Sequence, residues 1–116
     1  RLRFAMPSCY LCTFAASVMS IPHCDCNYVP GLLLQAEMSD ILGCFVHKRL
    51  VVVAGATDDI FPLTSVRTAF ARLKKIYAAA GAADQVQLAV GPEGHRFYAA
   101  LAWRAARPLL GISGER

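Results

Sequence analysis

The run LVVVA, Leu50–Ala54, constrains the fold of this chain more than any other segment. It is rich in valine and shows no alternation of polar and apolar residues. That pattern is typical of a β-strand covered on both faces, whereas a half-exposed strand alternates. A strand of this kind lies in the middle of a sheet. The rest of the chain must therefore supply neighbouring strands and the helices that cover them.

The other segments alternate between strand and helix patterns. Two further strands are predicted in RLRFAM and QVQLAV. Helical spacing of apolar residues is found in LLLQAEMSDILGCF, in LTSVRTAFARLKKIYAAAG and in FYAALAWRAARPLL, the last limited by Pro108. Strands that alternate with helices predict an α/β fold, with a parallel sheet between helical layers. A chain of 116 residues has room for one domain or part of one.

The longest helical pattern, residues 63–81, carries both a start and a stop signal. Thr64 or Ser65 is expected to cap its first amides, and Gly81 is expected to end it. In the last helix, Trp103 lies among alanines and is expected to belong to the core.

Composition narrows the functional classes. Hydrophobic residues make up 56% of the chain and charged residues 17%, against about 25% charged in an average soluble domain. The chain is therefore expected to bury surface against something else, or to be a piece of a larger fold. The net charge of +4 is scattered and has no interleaved aromatics, so nucleic-acid binding is not indicated. The sequence contains no uninterrupted run of about 18 apolar residues, so no membrane span is predicted.

The five cysteines are an odd number, which does not suit a closed disulfide framework. They favour a reducing compartment, and hence a cytoplasmic location.

Titratable residues follow two of the predicted strands. Asp58 and Asp59 come after the valine-rich strand, and His95 comes after the next one. The carboxyl ends of parallel strands meet at one edge of a sheet, where ligands bind in open α/β folds. An imidazole acting as a general base needs a carboxylate to fix its tautomer and stabilise its charged form. The pattern predicts such a pair. His23 and His47 follow no predicted parallel strand and are expected to be packing or surface residues.

These segments resemble a known family. GATDDIFP, LKKIYAAAGAADQVQL and GPEGHRF are similar to the carboxyl-terminal part of the α/β-hydrolase fold, in particular to esterases related to acetyl xylan esterase and dienelactone hydrolase. The resemblance covers roughly Arg3 to Gly111. Its most specific motifs are G-x-x-D-x-I-F-P and G-H-R-F.

The resemblance implies a carboxylic ester hydrolase whose substrates include short acyl esters on carbohydrates, and whose chemistry needs no cofactor. It places the triad acid on Asp58, in preference to Asp59, and the base on His95. The serine nucleophile of such enzymes lies in a G-x-S-x-G turn before the acid, and no such motif occurs here. Residues 1–116 are therefore expected to be the carboxyl-terminal part of a single hydrolase domain, with the nucleophile upstream of Arg1.

Three alternatives remain open. Cys9 follows the first predicted strand, so Cys9, Asp58 and His95 run in nucleophile, acid and base order; some dienelactone hydrolase relatives use cysteine. A second alternative is a zinc site built from the C-x-x-C pair and the HCDC string, which together contain Cys9, Cys12, His23, Cys24 and Cys26. The third is an inactive, truncated hydrolase module with a structural or binding role.

Overall fold

A computed structural model of the chain describes residues 2–112. Arg1 and residues 113–116, which belong to the predicted domain 1–116, lie outside the described residues. Three strands form one parallel sheet in the order β1-β2-β3. They are β1 (Phe4–Ala5), β2 (Arg49–Gly55) and β3 (Val86–Gly91). The predicted parallel sheet is confirmed, with the valine-rich strand at its centre.

Helices connect and cover these strands. α1 (Met38–Gly43) precedes β2, α2 (Leu63–Ala79) connects β2 to β3, and α3 (Ala99–Leu110) follows β3. Four short 3₁₀ turns accompany them among the described residues, at Phe14–Ala16, Asp25–Asn27, Leu32–Leu34 and Ala83–Gln85. The element order is that of an α/β protein, as the sequence predicts.

Strand β2 packs on both of its faces, because its successive side chains point to opposite sides of the sheet. Leu50, Val52 and Ala54 belong to a hydrophobic cluster shared with α2. Val51 and Val53 belong to a second cluster, shared with α3. All five side chains are buried. The sheet is thus sandwiched between helical layers, which explains the lack of alternation in this strand.

Helix α2 begins at Leu63, directly after Pro62, and neither Thr64 nor Ser65 caps it through a side chain. That prediction is wrong, because the Ser65 hydroxyl is used elsewhere: it accepts a hydrogen bond from the amide of Thr13 at 3.1 Å. The stop signal is confirmed in place, since Gly81 follows the helix with a φ of 70°.

Tyr77, near the end of α2, ties the helix to the loop that enters β2. Its buried hydroxyl donates to the carbonyls of Phe45 (3.1 Å) and Lys48 (3.2 Å). Burial raises the pKa of Tyr77 to about 12, so the phenol remains a neutral donor at physiological pH.

The helix predicted within residues 32–45 is only partly present. Leu32–Leu34 is a 3₁₀ turn, and α1 begins later, at Met38. The break follows from Glu37, whose carboxylate accepts the Met38 amide while the Asp40 side chain accepts the Glu37 amide. This reciprocal capping box fixes the start of a helix. It overrides the apolar spacing on which the longer prediction depended.

Two predictions for α3 are also corrected. The helix continues past Pro108 to Leu110, where Gly111 ends it with a φ of 66°. Trp103 is 45% exposed and is not a core residue. The face of α3 that meets the sheet consists of the small residues Ala102 and Ala106, so the adjacent tryptophan faces outward, with its ring 6.3 Å from that of Phe4.

No helix among residues 2–112 combines the length and the hydropathy that crossing a bilayer demands.

The burial of Leu73 in α2 predicts that its truncation lowers the free energy of unfolding more than truncation of an exposed leucine does. Leu73 is fully buried in the cluster under α2, whereas Leu34 is 85% exposed. We expect Leu73→Ala to lower the free energy of unfolding by about 2–5 kcal/mol, because it leaves a cavity in the core. The matched control, Leu34→Ala, should change it by less than about 0.5 kcal/mol. Urea denaturation followed by circular dichroism measures both, and equal effects would contradict the packing described here.

Candidate active site

Asp58 lies in the turn after β2 and uses its two carboxylate oxygens for different purposes. Oδ1 accepts hydrogen bonds from the amides of Ile60 (2.9 Å) and Phe61 (3.0 Å), which shapes the turn that leads into α2. Oδ2 points towards His95. Only 1% of the side chain is exposed. The carboxylate is therefore held rigidly, with one oxygen left for the histidine.

His95 lies in the loop after β3. Its Nδ1 is 3.0 Å from Oδ2 of Asp58, and 43% of the side chain is exposed. A carboxylate can only accept, so Nδ1 carries the proton of this hydrogen bond. In the neutral ring, Nε2 then has a free lone pair. Nε2 can therefore accept a proton, while the hydrogen bond from Nδ1 to Asp58 fixes the orientation of the ring.

The structure places the two adjacent aspartates differently. Asp58 is buried and holds His95, whereas Asp59 is exposed. Asp58 is therefore the aspartate of the two that contacts His95, and its role as the triad acid stays a prediction.

Pairing between β2 and β3 continues beyond the strands and brings the two loops together. Gly55 is opposite Gly91 in the register. The amide of Ala56 then donates to the Gly91 carbonyl at 2.9 Å, and the amide of Thr57 donates to that of Glu93 at 3.1 Å. These bonds fix the segment carrying Asp58 against the segment carrying His95.

Gly55 permits this close approach because it has no side chain. A Cβ atom at this position would lie 2.2 Å from the carbonyl oxygen of Gly94 and 2.5 Å from that of Glu93. Both are backbone atoms of the loop that carries His95. Gly55 is therefore a positioning residue, one that sequence reasoning did not identify beyond its place in the G-x-x-D motif.

Phe61 was also missed as a site residue, although it belongs to the same motif. Its ring is stacked against that of His95, with centroids 5.8 Å apart and planes 28° apart. The other sides of Phe61 contact the rings of Tyr10, at 5.3 Å, and His23, at 5.8 Å. The ring restricts the tilt of the imidazole and shields one of its faces from water.

Cys9 lies beside the pair. It follows β1 with a φ of 49°, in the left-handed region that non-glycine residues rarely adopt. Its buried thiol donates to the Arg96 carbonyl at 3.3 Å, and its Sγ lies within 4.8 Å of ligand atoms of both Asp58 and His95. Burial, together with the nearby Asp58 carboxylate, raises the pKa of the Cys9 thiol. A nucleophilic cysteine needs the opposite shift, so these surroundings do not favour a thiolate nucleophile.

The zinc site drawn from the cysteine motifs is not assembled. Cys12 is buried, whereas Cys24 and Cys26 are exposed, and none of them joins a three-ligand cluster among residues 2–112. His23 instead pairs through Nε2 with the buried Ser17 hydroxyl at 3.0 Å. The cluster that does form combines Cys9 with Asp58 and His95.

The remaining histidine, His47, is exposed and lies in the loop before β2. It is therefore at the opposite edge of the sheet from His95.

Within the described range 2–112, no serine hydroxyl hydrogen-bonds to the imidazole of His95. The Asp58–His95 pair by itself can orient the ring and exchange a proton at Nε2.

Comparison with known proteins finds one structural likeness. No family model and no curated protein matches the chain. A solved structure, the methylesterase BT1017, superposes with a TM-score of 0.53 and 21% sequence identity. The alignment covers 70% of this chain and 20% of the methylesterase. The likeness shows that this chain shares its α/β fold with part of that protein, and the alignment spans about a fifth of the methylesterase's length.

The close approach at Gly55 predicts a specific effect on His95. Gly55→Ala should force the loop of Glu93 and Gly94 away, lowering the free energy of unfolding by about 1–3 kcal/mol and moving the NMR signals of the His95 ring. Gly94→Ala is the matched control, because its Cβ would meet the Thr57 carbonyl oxygen at an ordinary 3.5 Å. Unshifted His95 signals in a folded Gly55→Ala protein would show that Gly55 does not position the loop.

Proposed function

We propose that this chain supplies the acid and the base of a serine-dependent carboxylic ester hydrolase. Residues 1–116 would be the carboxyl-terminal part of a single α/β-hydrolase domain, whose nucleophile-bearing part precedes them. The observation that carries the proposal is the 3.0 Å hydrogen bond between Nδ1 of His95 and Oδ2 of the buried Asp58. It lies at the carboxyl edge of a parallel sheet, where such folds place their catalytic residues.

The geometry of the pair supports the following proposed roles. Nε2 of His95 takes the proton of the serine hydroxyl as that oxygen attacks the ester carbonyl. It then donates this proton to the leaving alcohol. Asp58 keeps the imidazole in the required tautomer and stabilises the imidazolium that forms between these two steps. No cofactor is required for this chemistry.

The exposed edge of the sheet at β1 supports the proposal that a segment upstream of this chain packs beside it. Strand β1 is two residues long and pairs only with β2 among the described strands. Beside it lies a largely apolar groove of about 490 Å³. Its lining residues are Leu2, Ala5, Met6, Pro7, Ile41, Leu42, Cys44, Phe45 and Leu50. An additional strand and helix would cover this surface and end the exposure of an unpaired edge.

The substrate class is proposed at the level of the bond cleaved. Short acyl esters, including those on carbohydrates, follow from the resemblance of GATDDIFP and GPEGHRF to acetyl xylan esterase-like proteins. The structural neighbour is named a methylesterase, which is an enzyme that cleaves the same kind of bond. Both support an ester carbonyl as the target of attack.

The competing proposal is an inactive, truncated module that keeps the fold and has a structural or binding role. It is favoured by one observation, the lack of a serine hydroxyl bonded to His95 within residues 2–112. The two proposals differ in what precedes the chain: a hydrolase needs an upstream G-x-S-x-G in the same reading frame.

Turnover by the complete protein tests the catalytic proposal. The coding sequence upstream of Arg1 is read, the whole reading frame is expressed, and hydrolysis of p-nitrophenyl acetate is measured. We expect His95→Ala to lower kcat/KM at least about 10³-fold, and Asp58→Asn by about 10⁴-fold, because the base is lost or its tautomer is wrong.

Asp59→Asn is the matched control, since it removes the neighbouring, exposed carboxylate; kcat/KM should stay within about twofold. An active enzyme that is insensitive to His95→Ala would refute the assignment. A reading frame without an upstream nucleophile would leave the inactive module as the better account.

A further inference from the structure

We infer that Cys9, Asp58 and His95 form a binding site for a thiophilic divalent cation of the Zn²⁺ type. The ligand atoms are a sulfur, a carboxylate oxygen and an imidazole nitrogen, all within 4.8 Å of one another. They come from the segments after β1, β2 and β3, which the parallel sheet brings to one edge. Binding does not depend on the proposed hydrolase function.

The spacing suits a small cation. Zn²⁺ binds sulfur at about 2.3 Å and nitrogen or oxygen at about 2.0–2.2 Å, so tetrahedral ligand atoms lie roughly 3.3–3.8 Å apart. Nδ1 of His95 and Oδ2 of Asp58 are already 3.0 Å apart. An inward shift of Sγ by about 1 Å completes a three-ligand site. The exposure of His95 leaves a fourth position open to water.

The surroundings already orient the carboxylate. Oδ1 of Asp58 is held by the amides of Ile60 and Phe61, which leaves Oδ2 as the ligand. Hydrogen bonds of this kind to ligating carboxylates fix their direction and strengthen metal sites.

Binding of the cation releases one proton from the protein and changes the tautomer of His95. The Cys9 thiol releases its proton to solvent and binds as the thiolate. The proton on Nδ1 of His95 is lost to water while Nε2 takes one up, so the ring remains neutral and Nδ1 becomes the ligand. The metal and the Asp58–His95 hydrogen bond require the same two atoms. Occupancy by metal and orientation of the base therefore exclude each other.

Titration of the 116-residue chain with Co²⁺ tests the site, because a thiolate ligand gives cobalt an intense charge-transfer absorption. The exposed cysteines Cys24, Cys26 and Cys44 are first replaced by serine, so that they cannot bind the metal. We expect one equivalent of Co²⁺ to bind with thiolate absorption, and Zn²⁺ to displace it, because a tetrahedral site with thiolate and imidazole ligands suits Zn²⁺.

Single substitutions in this background identify the ligands. Cys9→Ser should abolish the thiolate absorption, and His95→Gln should weaken Co²⁺ binding at least about 10-fold. His95 is exposed, so His95→Gln keeps the fold even if Cys9→Ser does not. Cys12→Ser is the matched control, because it removes another buried thiol outside the cluster, and it should leave binding unchanged.

An unchanged titration in His95→Gln would overturn the inference, as would a background protein with no thiolate absorption or an equal loss in Cys12→Ser. These outcomes leave the hydrolase proposal untouched, since none of them measures turnover.

Discussion

The parallel pairing of β2 with β3 is the constraint from which the site follows. The register runs without interruption from Leu50 opposite Val86 to Gly55 opposite Gly91. Asp58 and His95 follow the ends of these strands by three and four residues. A shift of the register by one residue would reverse the faces of β3 and separate the two loops. The burial of β2 on both faces therefore fixes the geometry of the carboxylate and the imidazole as well as the core.

The sequence predicted those parts of the fold whose pattern is set by burial. The valine-rich strand, the long helix after it and the strand-end positions of Asp58 and His95 all follow from periodicity and the geometry of parallel sheets. The segment between β1 and β2 could not be predicted in this way, because side-chain bonds such as the capping box of Glu37 decide its course. Trp103 was misplaced since small alanines, rather than the largest side chain, face the sheet.

Through-space contacts explain which features of the site could not be predicted from the sequence. Phe61 belongs to the turn that Asp58 shapes. Its contact with the His95 ring arises because the loops after β2 and β3 lie against each other. Cys9 is distant from both residues in sequence and reaches them only because β1 is parallel to β2. Its thiol was considered as a nucleophile because Cys9 follows the first predicted strand and precedes the acid and the base in the chain. The surroundings instead give it a raised pKa and place it beside the acid.

The two carboxylate oxygens of Asp58 bind different partners, and this affects which substitutions the protein can tolerate at the site. One oxygen shapes the backbone turn into α2, and the other serves the histidine. Asp58 therefore stabilises the turn into α2 whether or not the protein has enzymatic activity. His95 is exposed, and among residues 2–112 its side chain accepts no backbone amide and shapes no turn of this kind. If the proposed activity were lost, we would expect His95 to vary before Asp58, because the backbone turn into α2 would still depend on the aspartate.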